Sequence, residues 1–264
     1  MVDAARTSAI SLMKRRNCHA TRCAIPPEPR RGCMPQQSDD QPFPRSGPLA
    51  RQMNRPYDEL CAAFPSDAAE VYAYVIATIG RHGERFVQYG SGPNWQGGVL
   101  TLCTCKHWMR SFGTPEDWRG RWIAGFSGVR AGGGCNALVF LMRVGAAYDS
   151  QAALWRSDAL GVRARNAKAA TRHRHGDLFE PKSAGSDPYR SRSYHTPCRD
   201  HDHFPDRGWY GDVDYVGAGG HRPALLVGEV AQTYLWDTPR LFLSKPIGIG
   251  QRKYALDNLL AMLG

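Results

Sequence analysis

The sequence predicts an α+β domain built on a curved or barrel-like mixed sheet, with short helices and one long histidine-rich loop. Short runs rich in β-branched and aromatic residues alternate with short helical segments, a mixture that favours this class over a doubly wound sheet. Residues 137–144 are apolar at nearly every position, as expected of a strand covered on both faces. Residues 156–223 hold most of the nine histidines and few aliphatic side chains, and they predict the loop.

The first elements follow in chain order. Residues 57–63 predict a short helix that follows a proline. Residues 71–79 form a β-branched and aromatic run closed by a glycine, which predicts the first strand. The stretch 81–98 is polar and rich in glycine, and it predicts a loop that brings backbone amides close to a ligand.

The next two elements carry sharper local signals. Residues 99–105 predict a second strand, and its alternation places Cys103 and Cys105 on one face. Thr114 followed by a proline and two acids has the form of a helix start, with the threonine as cap. The later elements are strands at 122–126, 137–144 and 224–230, a helix at 149–157, an edge strand at 235–243, and a C-terminal helix over 252–263 with a stripe of leucines.

The composition bounds the class of protein. The chain has 264 residues, of which 42% are hydrophobic and 22% are charged, as in an ordinary globular protein. No apolar run approaches the roughly 18 to 20 residues needed to cross a bilayer, and no secretory signal precedes the domain. We therefore expect a cytoplasmic protein without a membrane partner.

Much of the basic charge lies in residues 1–56. The formal charge of the chain is +10, and this segment contributes +6 from ten Lys and Arg against four Asp and Glu. It is also rich in proline and lacks apolar periodicity, so we expect a disordered basic tail before a single domain at 57–264. The tail could be a solvated linker or an arm for phosphate backbones. A further hypothesis is that translation starts at Met53.

Cys103, Cys105 and Lys106 form the first candidate site. Only a thiolate is nucleophilic or binds metal, and the cations at Lys106, His107 and Arg110 would lower a thiol pKa. The alternative is a pair of small buried residues on a strand face, where free cysteines commonly lie.

The second candidate is the stretch 194–203, which reads YHTPCRDHDH. Cys198, His201 and His203 offer sulfur and nitrogen ligands for a metal such as zinc. A histidine oriented by Asp200 is an equally good acid–base group near neutral pH. The alternative is a polar loop whose histidines bond to water.

Aromatic residues give the third candidate. All seven tryptophans fall between Trp95 and Trp236, and several neighbour arginine, as in the segment from Trp118 to Trp122. Stacking of a base on an aromatic ring contributes about 1 to 3 kcal/mol, and guanidinium groups hold phosphates. The alternative is that these tryptophans pack in the core.

Several strings together resemble the second (type 2) of the nucleotide modification associated domain families. The strings are GGV-LT-CK at 97–106, GRWI at 120–123, GDLFEP at 176–181, YHTPCRDH at 194–201, LVGE at 226–229 and YLWD at 234–237. The resemblance covers about residues 71–243. Arg121 stands where the family has an acid, so a role for that carboxylate does not transfer.

The resemblance implies a link to systems that alter bases in DNA, often of phage or mobile-element origin. By analogy, the strand layout is similar to the small PUA and ASCH barrels, which hold a nucleotide in a cleft. DNA or a free nucleotide would be the ligand, and proteins of the modification system would be partners.

Two functions of different class follow from the resemblance, together with a third role as scaffold subunit. As an enzyme on a nucleobase, the protein would line its pocket with Cys105, Lys106, His195 and Asp200, and His201 would act as acid–base group or metal ligand. As a reader of a modified or flipped base, it would hold the base without chemistry. The nucleotide-binding residues would be Trp95, Arg110, Trp122 and Tyr194.

Overall fold

The computed structural model describes residues 40–64, 69–198, 201 and 208–263. Its eight strands are β1 Glu70–Ile76, β2 Ile79–His82, β3 Arg85–Gln88, β4 Thr101–Leu102, β5 Trp122–Ser127, β6 Leu138–Tyr148, β7 Leu225–Leu235 and β8 Arg252–Ala255. Six of them form one sheet in the order β4-β7-β6-β5-β1-β8, and β2 pairs with β3 in a separate hairpin. The described residues group into one compact unit.

The sheet is mixed and open. β1 runs parallel to β5, whereas the other neighbours in the sheet are antiparallel. The predicted α+β class with a mixed sheet is therefore confirmed. The barrel-like closure is wrong, because the short strands β4 and β8 lie at opposite edges and do not meet. The analogy to PUA and ASCH barrels consequently has no support in the topology.

The helices are short, as predicted. Those in the described part of the chain are α1 Tyr57–Ala62, α2 His107–Arg110, α3 Pro115–Trp118, α4 Gln151–Arg156, α5 Val162–Lys168, α6 Tyr210–Asp214 and α7 Leu256–Ala261. The Thr114 side chain caps α3 by accepting a hydrogen bond from the Asp117 amide. The Asp117 carboxylate in turn accepts one from the Thr114 amide. None of the helices in these ranges is long and apolar enough to cross a membrane.

Alternation along β1 separates two hydrophobic cores. Tyr72 and Tyr74 point into the core on one face, whereas Val71 and Ala73 point into the core on the other. Trp122 pairs with Val71 and shares its face. The sheet therefore separates one hydrophobic core from the other.

The predicted strand at 99–105 is much shorter than expected. β4 ends at Leu102, and Cys105 and Lys106 have φ of 56° and 50° in the left-handed region. Such φ values are uncommon for residues other than glycine, and they turn the chain away from the sheet. The prediction that Cys103 and Cys105 share a strand face is therefore wrong.

Other boundaries also differ from the predictions. The stretch 81–98 contains most of the β2–β3 hairpin, and β7 continues to Leu235, where the edge strand was expected to begin. The C-terminal helix starts only after β8. Its leucines at 256, 259, 260 and 263 are all buried, as the stripe predicted.

The segment 156–223 is not a structureless loop. Its described residues include α5, α6 and a single turn of 3-10 helix at Ser191–Ser193. Lys168, Asp177 and Phe179 are fully buried. Hydrogen bonds to residues elsewhere in the chain hold the segment in place, which composition alone does not reveal.

Residues 40–56 belong to the folded unit, so the boundary predicted at 56 is wrong for this part of the tail. Phe43 stacks on Trp95 at 4.3 Å, and Leu49 is fully buried. The Asp237 carboxylate binds Arg45 at 3.0 Å and accepts a hydrogen bond from Asn54. A chain that began at Met53 would lack Phe43 and Leu49. Residues 1–39 lie outside the described residues.

Candidate functional site

The strongest candidate site surrounds a buried arginine on the face of the sheet that carries Tyr74. We call Tyr74, Cys105, Lys106 and Arg110 the Arg110 cluster. Arg110 ends α2 and is 1% exposed. Its Nε donates to the Cys105 carbonyl at 2.9 Å and its Nη1 to the Ala224 carbonyl at 2.7 Å. The left-handed turn before α2 aims the Cys105 carbonyl at the guanidinium.

Two polar atoms of the cluster are buried without a hydrogen-bond partner among the described residues. They are Nη2 of Arg110 and the hydroxyl of Tyr74. The hydroxyl lies close enough to the Cys105 thiol and the Arg110 guanidinium to interact electrostatically with both. Buried polar groups are nearly always hydrogen-bonded, so two such groups in one cluster indicate a place built for a ligand atom.

Cys105 is a neutral thiol at physiological pH. Burial raises its pKa to about 11, and the Asp212 carboxylate adds to the increase. The positive charges of Arg110 and Lys106 lower this pKa, but by less than burial and Asp212 raise it. The thiol lies against the 90–92 loop, where a Cβ added at Gly92 would be 3.2 Å from Sγ. The nearby cations Arg110 and Lys106 thus act in the expected direction, but the net change in the Cys105 pKa is upward.

Lys106 and α6 close the cluster. The Lys106 ammonium lies 4.7 Å from the centre of the Tyr74 ring and donates to the Ile249 carbonyl at 3.3 Å. Burial lowers its pKa. From α6, the Asp212 carboxylate accepts a hydrogen bond from the Cys105 amide at 3.4 Å and a shorter one involving His107. The site is therefore built from three segments of the chain, namely β1, residues 105–110 and α6.

Trp108 is the tryptophan available for stacking. It is 56% exposed on α2 and packs edge-on against Phe112 at 4.6 Å. Trp108 is among the tryptophans that the sequence singles out as neighbours of arginine, but it was not placed in the predicted clamp.

The proposed clamp of Trp95, Trp122 and Arg110 does not form. Trp95 is buried against Phe43, and its Nε1 donates to the Pro42 carbonyl. Trp122 belongs to the core on the opposite face of the sheet. Only Arg110 of the three lies at the cluster.

Tyr194 and His195 also lie elsewhere. Tyr194 is buried, and its hydroxyl accepts from the Ala152 amide and donates to the Pro188 carbonyl at 2.6 Å. Burial raises its pKa to about 12. His195 is exposed, and its amide binds the Glu180 carbonyl. Tyr194 therefore anchors the long segment rather than presenting a surface to a nucleotide.

The metal site proposed from Cys198, His201 and His203 remains a prediction. The His201 ring contacts the Arg174 carbonyl at 2.8 Å, and the Cys198 amide donates to the Ala170 carbonyl. Asp200 and His203 lie outside the described residues. Within the ranges that the structure describes, no three His, Cys, Asp or Glu residues are grouped as a metal site.

A chain of ring contacts among the described residues connects His201 to the Arg110 cluster. Its ring is 5.8 Å from Phe179, Phe179 is 5.3 Å from Trp209, and Trp209 precedes the α6 helix that carries Asp212. For His201, the predicted meeting with Cys105 is thus an indirect connection through α6, whereas for Asp200 and His203 it remains a prediction.

A second buried cation was not predicted at all. Lys168 donates to the Asn94 carbonyl at 2.8 Å, to Asn94 Oδ1 at 2.9 Å and to Thr101 Oγ1 at 2.8 Å. Thr101 in turn donates to Asp177 at 2.7 Å. We call Asn94, Thr101, Lys168 and Asp177 the Lys168 network. Only the fold brings these four residues together, so no spacing in the sequence signals them.

No family model matches the chain, and no curated protein or solved structure is significantly similar to it. The resemblance to the nucleotide modification associated domains therefore rests on the residues quoted for it above.

Proposed function

We propose that the protein recognises or acts on a nucleobase within a nucleotide or DNA modification system, and that the base is bound at the Arg110 cluster. Recognition is the function that the site supports best. The proposal joins the family resemblance in sequence to a site whose chemistry suits the edge of a base.

The observation that carries the proposal is the pair of unpartnered groups on Arg110 and Tyr74. An arginine N–H donates to ring nitrogens and carbonyl oxygens, which are the acceptors on base edges. A tyrosine hydroxyl both donates and accepts, so it suits either an amino group or a carbonyl. Together they match an edge with two neighbouring polar atoms.

Trp108 supplies the second requirement of base recognition. Its exposed ring lies on the same short helix as Arg110 and two residues after Lys106. Stacking of one base on such a ring contributes about 1 to 3 kcal/mol and tolerates any base. Trp108 would hold the nucleic acid at the surface while the polar groups select the base.

Recognition is favoured over catalysis because Cys105 is protonated. A pKa of about 11 leaves very little thiolate at neutral pH, and a nucleophilic cysteine acts as the thiolate. The enzymatic alternative therefore requires a ligand that removes the thiol proton or displaces Asp212. His195, a further residue of the proposed catalytic set, is exposed and bound to a different part of the chain.

Fluorescence anisotropy with labelled single-stranded oligonucleotides, some carrying a modified base, tests the proposal. Trp108→Ala should weaken binding about 5- to 150-fold, whereas Trp108→Phe should retain most of it. Tyr74→Phe should weaken binding up to about tenfold and reduce discrimination between bases. Tyr72→Phe is the matched control, because its hydroxyl already accepts from Arg121 at 3.0 Å.

Equal binding by wild type, Trp108→Ala and Tyr74→Phe, all folded, would refute the site. Nucleoside mass spectrometry of cellular DNA then separates the two functions. A loss of modified bases with Cys105→Ser at unchanged oligonucleotide affinity would favour an enzyme over a reader.

A further inference from the structure

The face of the sheet opposite the Arg110 cluster carries a pocket of about 270 Å³. We call it the Trp122 pocket, and it is lined by Ala63, Phe64, Ala69, Gly120, Trp122, Arg143, Gln232 and Leu256. Ligand pockets commonly begin at roughly 300 Å³, so this one suits a small ring system rather than a whole nucleotide.

The polar wall of the Trp122 pocket offers hydrogen-bond donors without net charge. Arg143 Nη1 bonds to Glu229 at 3.2 Å and to the Gln232 amide oxygen at 3.3 Å, and Arg143 Nε bonds to the Gly120 carbonyl at 3.4 Å. Glu229 balances the guanidinium charge. With its oxygen engaged, Gln232 presents the donor end of its amide.

The apolar wall is aromatic. The Phe64 ring lies 4.8 Å from Trp122 and 5.8 Å from Tyr234, edge-on to both. Such geometry is typical of favourable aromatic packing and leaves a firm surface for a planar ligand. A neighbouring cavity of about 240 Å³ shares Phe64 and Leu256, so Phe64 separates the two spaces.

Together the walls define the class of ligand. Donors select a ring with carbonyl or imine acceptors, and the aromatic side chains select a planar ring. The Arg143–Glu229 pair disfavours an anion, because Glu229 already balances the charge of Arg143, the cation that lines the pocket. A cationic ligand would be repelled by the Arg143 guanidinium, which lines the pocket.

We propose that the Trp122 pocket binds a neutral planar heteroaromatic ring with hydrogen-bond acceptors, of the size of a free nucleobase. The site lies on the other face of the sheet from the Arg110 cluster and uses none of its residues, so it stands independently of the function proposed above.

Isothermal titration calorimetry with free adenine and with its 5′-monophosphate tests this site. Adenine should bind, and the monophosphate should bind at least tenfold more weakly. Ala63→Phe should abolish adenine binding, because Ala63 lines the pocket. Ala62→Phe is the matched control, since Ala62 is the preceding exposed residue of α1 and lines neither cavity.

A second variant keeps the test decisive if Ala63→Phe does not fold. Gln232→Ala removes one donor and should weaken adenine binding about three- to tenfold. It should leave oligonucleotide binding unchanged, and Tyr74→Phe should leave adenine binding unchanged. No binding of adenine at millimolar concentration, or full binding by Gln232→Ala and Ala63→Phe, would overturn the proposal.

Discussion

Lys168 and Arg110 are both buried cations, but they differ in how many of their hydrogen-bond donors have a partner. Lys168 is fully buried, and its three protons meet three acceptors at 2.8 to 2.9 Å. Arg110 is as deeply buried, yet among the described residues it bonds two backbone carbonyls and leaves Nη2 unpartnered in the same cluster as the Tyr74 hydroxyl. Every donor of Lys168 is bonded, and in its network Asp177 Oδ1 is the acceptor atom without a partner among the described residues. In Arg110 it is the cation itself that has a free donor, and such a donor indicates a binding site.

The two cations also differ in how they respond to burial. Burial lowers the pKa of Lys168 to about 8, although Asp177 opposes the change. Burial likewise raises the pKa of Asp177. An arginine keeps its charge in proteins, so Arg110 retains a permanent cation that a ligand can use.

The largest expected effect is on the Lys168 network. Lys168→Met leaves the Asp177 carboxyl buried without its cation and should cost about 3 to 5 kcal/mol of unfolding free energy. Urea denaturation measures the loss. The double variant Lys168→Met with Asp177→Leu should recover most of it, because apolar replacement of a buried pair is often neutral or stabilising. If Lys168→Met lowered the unfolding free energy by less than about 1 kcal/mol, Lys168 would not be a major stabilising residue of the fold.

Arg110→Met should cost less, about 1 to 3 kcal/mol, because it removes two hydrogen bonds to backbone carbonyls. The same variant should abolish oligonucleotide binding in the anisotropy assay. If instead its stability loss equals that of Lys168→Met and binding persists, Arg110 is a structural residue.

The pH dependence of stability sharpens the comparison further. The Lys168 pKa is about 8 in the folded protein, below its ordinary value of 10.5, so between these pH values the unfolded state binds the extra proton. Stability from this group therefore rises as pH increases through that window, by at most about 3 kcal/mol. We expect the stability difference between wild type and Lys168→Met to grow from pH 8 to 10.5. Arg110→Met should follow the wild-type slope, and parallel curves for all three proteins would contradict the assignment.

The smallest effect distinguishes two tyrosines on one strand. Tyr74→Phe removes an unpartnered buried hydroxyl and should leave stability unchanged or raise it by up to about 1 kcal/mol. Tyr72→Phe removes a hydroxyl that accepts from Arg121 and should lower stability by about 1 kcal/mol. Thermal unfolding of both variants measures the difference, and a clear loss in Tyr74→Phe would show that its hydroxyl has a partner.

Much of the fold was predictable because it depends on neighbours in the chain. The apolar run of β6, the capping box at Thr114 and the leucine stripe of α7 are local patterns, and each forms as expected. The candidate site was predicted only in part. Cys105, Lys106 and Arg110 were named from charge and spacing, and Trp108 was one of the tryptophans noted near arginine, whereas Tyr74 and Asp212 were not predicted as site residues.

The sequence by itself determined the α+β class, the main strands and the basic cluster after β4, because side-chain periodicity and charge act over a few residues. The tertiary structure decided which buried cation has all its donors hydrogen-bonded, which tryptophan is exposed and whether Cys105 is ionised. Each of these depends on burial and on groups far along the chain, such as Asp212 beside Cys105 and Asp177 beside Lys168. Burial changes the free energy of a charge more than its neighbours in sequence do, and only folding sets burial.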